Sequence, residues 1–107
     1  MAACLVYVTT GDLVEAQAIG RAMVKERLAA CANIIPRIVP IFWWEGEVQE
    51  GAESLLLLKT TDRQVPALIE AVKARHSYDC PCVTVLPITG GNADFLGWIE
   101  AETAGGG

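Results

Sequence analysis

Apolar and polar positions alternate along this chain in blocks that each suggest one element. Residues 3–9 are almost continuously apolar, the pattern of a strand buried on both sides. Thr10-Gly11 breaks the run, and Asp12 stands three residues before Glu15, so the spacing predicts a capping box opening a helix over about 13–29. Val14, Ala18 and Ala22, with Ile19 and Met23, predict its inner stripe; Arg21, Lys25, Glu26 and Arg27 predict its solvated side. Residues 32–50 are rich in Ile, Val, Phe and Trp and read as one long extended segment. Pro36 and Pro40 cannot donate to a ladder, so that segment must lie at an edge or be bent or bulged there, with Glu45-Gly46 or Glu50-Gly51 available to turn the chain. A third strand over 54–60 carries the run Leu55 to Leu58, which predicts cover on both faces of its sheet.

Thr61-Asp62 reads as the cap of a second helix over about 63–75, with Val65, Leu68, Ile69 and Val72 inside and Pro66 in the tolerant first turn. A fourth strand over 82–86 follows Pro81. Asp94 reads as the cap of a short last helix with Phe95, Trp98 and Ile99 on one side. The order β-α-β-β-α-β-α is two split β-α-β units in succession. It predicts an α+β, ferredoxin-like sandwich: a four-stranded antiparallel sheet with helices on one face. The bare face then needs another subunit.

Composition supports that need. The chain has 107 residues, enough for one domain; residues 1–103 are assigned to it and 104–107 to a frayed tail. Apolar residues make up 52% and charged residues 20%, a surplus of apolar surface for a small monomer. Thirteen acidic and eight basic residues, with no basic cluster, argue against nucleic-acid binding. No apolar run spans a bilayer and the N-terminus lacks a charged leader, so the expected location is the cytoplasm, with Cys4, Cys31, Cys80 and Cys82 as reduced thiols.

Several strings, taken in order, resemble one family. Lys25-Glu26-Arg27-Leu28-Ala29-Ala30-Cys31-Ala32-Asn33-Ile34 resembles the E-R-L-A-A-C-x-N-I signature of the CutA family of divalent-cation tolerance proteins. Trp44-Glu45-Gly46-Glu47-Val48 is similar to its W-E-G-K turn, Leu58-Lys59-Thr60 to its strand end, and His76 to Cys82 to its H-P-Y-x-x-P-E segment. Leu86-Pro87-Ile88 and Asp94 to Ile99 resemble its ending. The resemblance implies a ferredoxin-like homotrimer akin to PII-type signalling proteins, a long strand reaching to a neighbour, copper or another divalent cation as the ion, and no enzymatic activity. Ser77, Cys82 and Glu47 depart from the family's Pro, Glu and Lys. A copper site proposed for one bacterial member of that family draws on a Cys at the first strand's end and a His pair; those positions read Val8 and Arg75-His76, so His76 alone carries over.

His76, the single histidine, is either a metal ligand near a turn or a cation complementing a helix C-terminus beside Lys73 and Arg75. Cys80-Pro81-Cys82 places two thiols close enough to hold a soft ion such as Cu(I), or else to pack; Cys31 is a further thiol with the same two readings, and Cys4 reads as a packed strand residue. The resemblance groups Lys59, Tyr78, Trp44, Glu45 and Asn33 near subunit clefts as a small-ligand pocket, with a Lys59–Glu45 ion pair as its structural counterpart. Trp43 and Trp44 point to opposite faces of a strand, one for its own domain and one for an interface. No G-x-S-x-G, H-E-x-x-H or Walker loop is present, and Asp12 would repel a phosphate at the one glycine-containing helix start. A metal-binding trimer, a PII-like ligand module and a purely structural trimer remain the functional alternatives; an acylphosphatase-like hydrolase is disfavoured by the lack of a readable Arg–Asn site.

Overall fold

A computed structural model describes residues 2–105. It contains β1 (Ala3–Thr10), α1 (Leu13–Lys25), β2 (Cys31–Ile38), β3 (Ile41–Trp44), β4 (Glu47–Glu50), β5 (Glu53–Thr61), α2 (Val65–Arg75), β6 (Val83–Pro87) and α3 (Ala93–Thr103). The fold is mixed α+β. The main sheet has the order β2-β5-β1-β6, and each neighbouring pair is antiparallel. The two apolar runs of the sequence, β1 and β5, are its central strands, with Val6 opposite Leu58 and Val8 opposite Leu56. These four side chains face α1 and α2, where Ile19, Met23, Leu68 and Val72 complete a closed core.

Alternation puts Leu5, Tyr7, Leu57 and Lys59 on the other face, with Asn33 and Ile35 of β2 and Leu86 of β6 in register beside them. Leu5, Tyr7 and Leu57 stay only half-buried, and Ile35 and Leu86 are exposed. The sheet is thus covered on one face and largely bare on the other, so the described residues of this chain supply only one of the two covers that the leucine run predicts.

The segment 32–50 is not one strand. β2 ends at Ile38 after a register shift between Ile35 and Ile38, where Pro36 interrupts the ladder. Residues 41–50 then form a separate two-stranded arm, β3 paired with β4, with Ile41 opposite Glu50 and Trp44 opposite Glu47. Of the two candidate turns, Glu45-Gly46 makes this hairpin: both residues have positive φ, 52° and 80°, the signature of a two-residue primed turn. Every residue of the arm is exposed, and the molecule is elongated, 44 × 26 × 22 Å.

Four local expectations are corrected. Helix α1 ends at Lys25 rather than Ala29, because Arg27 turns left-handed at φ 59°. Its buried stripe is Ala16, Ile19, Gly20 and Met23; Val14 is 72% exposed and Ala18 is also outside. Thr61-Asp62 does not cap α2: the N-cap is Gln64, with no side-chain cap bond, while Asp62 accepts from the Ala2 amide. The side-chain cap of α3 is Asn92, whose oxygen accepts from the Asp94 amide, and of its three apolar residues only Ile99 is buried. Of the assigned tail, Ala104 and Gly105 follow α3 as a turn and residues 106–107 lie outside the described residues.

Candidate functional site

An open groove of about 960 Å³ lies between the arm and the bare end of the sheet. Tyr7 and Thr9 of β1, Phe42 and Trp44 of the arm, Glu53 at the start of β5, and the segment Ser77 to Cys80 with Cys82 line it. Alternation along β3 puts Phe42 and Trp44 together on the groove side and leaves Trp43 74% exposed on the other. Neither tryptophan is buried within the chain.

One wall is locked by the start of α1. Half of the expected capping box forms: Asp12 accepts from the Glu15 amide at 2.8 Å, but the Glu15 side chain reaches back to Gly11 and not to the Asp12 amide. The Glu15 carboxylate has two further tasks that its place in the sequence does not reveal. Oε1 accepts from the Gly11 amide at 2.9 Å and Oε2 from the Ser77 amide at 2.7 Å. Burial pushes this carboxyl up, but those bonds, with the nearby His76, outweigh it and hold it below its ordinary value. His76 lies behind the same turn with its side chain fully buried. Its Nε2 lies 2.7 Å from the Thr9 carbonyl and its Nδ1 3.0 Å from the Tyr78 amide. A carbonyl can only accept and an amide N–H can only donate, so Nε2 carries the proton and Nδ1 is the acceptor. Both ring nitrogens are occupied, which leaves no lone pair for a metal ion.

The Tyr78 ring packs against His76 in a tilted arrangement, with centroids 4.7 Å apart, and its hydroxyl donates to Glu53 at 2.9 Å. Burial, then the Glu53 hydrogen bond and the surrounding carboxylates, push its phenol up to about 12. Beyond these anchors, Cys80 and Cys82 are exposed, unpaired and open to the groove.

The structure divides the residues singled out from sequence. Tyr78, Trp44, Cys80 and Cys82 meet at the groove. Lys59 and Asn33 do not: the Lys59 ammonium donates to the Asn33 side-chain oxygen and lies 5.7 Å from the Phe95 ring centroid, on the bare sheet face. Glu45 sits in the arm's turn, and no Lys59–Glu45 ion pair forms among the described residues. Cys31 is half-buried on β2, opposite Lys59, beside a second, shallower depression near Gly20 and Val24. Cys4 is buried, which, with Asp62 nearby, raises its thiol pKa. Among the described residues, no group of three or more His, Cys, Asp and Glu side chains is arranged so that it could hold a metal ion. Sequence reading missed Glu15 and Glu53; a carboxylate at the third position of a capped helix was the one signal available for the former.

A family model described as CutA1 divalent ion tolerance protein matches residues 4–102. The chain is 46% identical over 99 residues to a divalent-cation tolerance protein CutA of Thermus thermophilus, covering 92% of this chain and 96% of that protein. It is equally 46% identical to a chloroplastic CutA 1 of Oryza sativa, but spans only 56% of that relative's length. Among solved structures it is similar to a CutA1 from Oryza sativa, with a TM-score of 0.93 and 44% identity over 96% of this chain and 94% of the other. It is also similar to a periplasmic divalent cation tolerance protein CutA from Archaeoglobus fulgidus, with a TM-score of 0.91 and 36% identity over 94% and 98%.

Proposed function

The chain belongs to the CutA1 divalent ion tolerance family, and we propose that it serves divalent-cation tolerance, copper above all, by binding the ion rather than by catalysis. The observation that carries this is the pair of open thiols, Cys80 and Cys82, on one groove wall. Two thiolates with one residue between them suit Cu(I), a soft ion content with sulfur ligands. His76 drops out of the ligand set because both nitrogens are engaged, and Cys31 because it lies at the second depression instead.

The working unit of this proposal is a ferredoxin-like homotrimer in the cytoplasm. The strand order supports the fold, and the half-bare sheet and an arm with Ile41, Phe42, Trp43, Trp44 and Val48 all exposed support the assembly. That much exposed apolar surface on one small chain marks an interface. The PII-like ligand reading is weaker, because Lys59 is turned away from the groove and engaged with Asn33.

Titrating Cu(I), Cu(II) and Zn(II) into reduced protein under argon tests the metal reading. Cu(I) uptake that survives His76→Ala and disappears in Cys80→Ser and Cys82→Ser is expected. No uptake, or uptake indifferent to both cysteines, would overturn it.

A further inference from the structure

The two groove thiols are both exposed and are separated in the chain by a single residue, Pro81. Consecutive Cα atoms are about 3.8 Å apart, so Cys80 and Cys82 lie at most about 7.6 Å apart at Cα. A disulfide needs roughly 4.4–6.8 Å, so a bend at the intervening residue brings them into range. Pro81 is that residue, and its ring holds φ near the value of a turn. The segment is anchored on both sides and loose between. Ser77 and Tyr78 are tied to Glu15, His76 and Glu53, and the β6 ladder begins with Val83 opposite Val8. Neither Asp79 nor Cys80 has a hydrogen-bond partner among the described residues. Bending here breaks nothing that holds the fold.

We propose that Cys80 and Cys82 form a reversible intrachain disulfide, and that closing it switches off metal uptake at the groove. The second half rests on the metal reading above. The co-reactant is an oxidised low-molecular-weight disulfide such as glutathione disulfide. One cysteine thiolate attacks a sulfur of that disulfide, forming a mixed disulfide and expelling one small thiolate. The other cysteine thiolate then attacks the protein sulfur of the mixed disulfide and expels the second. Two protein thiols lose two electrons and two protons in all; one small disulfide becomes two small thiols. The ring formed is small and exposed, which puts the bond among labile disulfides and not among structural ones. Oxidation removes both soft ligands in one event.

The test equilibrates the full chain anaerobically with graded glutathione/glutathione-disulfide mixtures, alkylates remaining thiols and maps them by mass spectrometry. Cu(I) uptake is measured on unalkylated portions of the same mixtures, freed of glutathione, before and after re-reduction and removal of reductant. The expected result is paired loss of alkylation at Cys80 and Cys82, without gel-shifted dimers, and loss of groove copper that returns on reduction. In Cys80→Ser, a stable glutathione adduct on Cys82 should replace the disulfide. Thiols that remain alkylatable throughout, persistent glutathione adducts on the native chain, or disulfides between chains would overturn the switch and leave the metal reading standing. A disulfide that forms while reduced protein takes up no copper would overturn the metal reading and the switching, and leave only the redox pair.

Discussion

The Glu15 carboxylate clasps the groove wall, and neutralising it should loosen that wall by a predictable amount. In the native chain it accepts from Gly11 at 2.9 Å and Ser77 at 2.7 Å, while its own amide is held by Asp12. Hydrogen bonds to a charged acceptor contribute about 1.5–3 kcal/mol each when shielded. Gly11 and Ser77 are exposed, so water can take up their N–H groups and the low end applies. Glu15→Gln keeps one acceptor oxygen and turns an NH2 toward the other donor, for a loss of about 1–2 kcal/mol. Glu15→Ala loses both bonds, about 2–3 kcal/mol. Guanidinium unfolding at fixed chain concentration, followed by tryptophan fluorescence, measures both. The pH dependence checks the cause. The folded carboxyl titrates below its ordinary value of 4.5, so the stability it gives is fully present above that pH. It is lost as pH falls through the folded value. The gap between native protein and Glu15→Gln should therefore be flat near neutrality and shrink below about pH 4.5. A gap under about 0.5 kcal/mol at pH 7, or one unchanged down to pH 3, would refute the clasp.

Three other perturbations follow from the packing. Gly20→Ala gains about 1 kcal/mol of helix propensity, but its Cβ would lie 3.0 Å from Leu56 Cδ1 and 3.3 Å from the Ala32 Cβ. Overpacking of about 1–3 kcal/mol should win, so denaturant melts should show destabilisation, with Gly20→Leu worse still. His76→Ala removes the Thr9 and Tyr78 contacts and should lower stability by about 1–3 kcal/mol; calorimetry should show the drop alongside unchanged Cu(I) stoichiometry. Gly46→Val forces a β-branched residue to φ 80° in the arm's turn, and light scattering should report dissociation of the proposed trimer at a higher chain concentration than for native protein.

The legible part of the fold was that written in continuous or capped patterns. The runs of β1 and β5 and the Asp12 cap could be read because burial on both faces and an oxygen-bearing N-cap leave local marks. The arm was blurred because Ile41 to Trp44 continue the β-forming character of the segment before them, and two Glu-Gly pairs, Glu45-Gly46 and Glu50-Gly51, each offered a turn. The α1 stripe was misplaced because Gly20 counts as neither apolar nor large, yet it is the contact point with Leu56. At the groove, the thiol pair was visible as a spacing. The fate of His76 was not: it is decided by the Thr9 carbonyl 67 residues away, and no local pattern encodes that contact.

The claim that the groove thiols are the metal ligands is tested most directly by X-ray absorption at the copper edge on Cu(I)-loaded, reduced protein. Two sulfur scatterers per copper, in a near-linear arrangement and lost in Cys80→Ser, are predicted. A shell dominated by nitrogen or oxygen, or a sulfur shell unchanged by that substitution, would contradict the account.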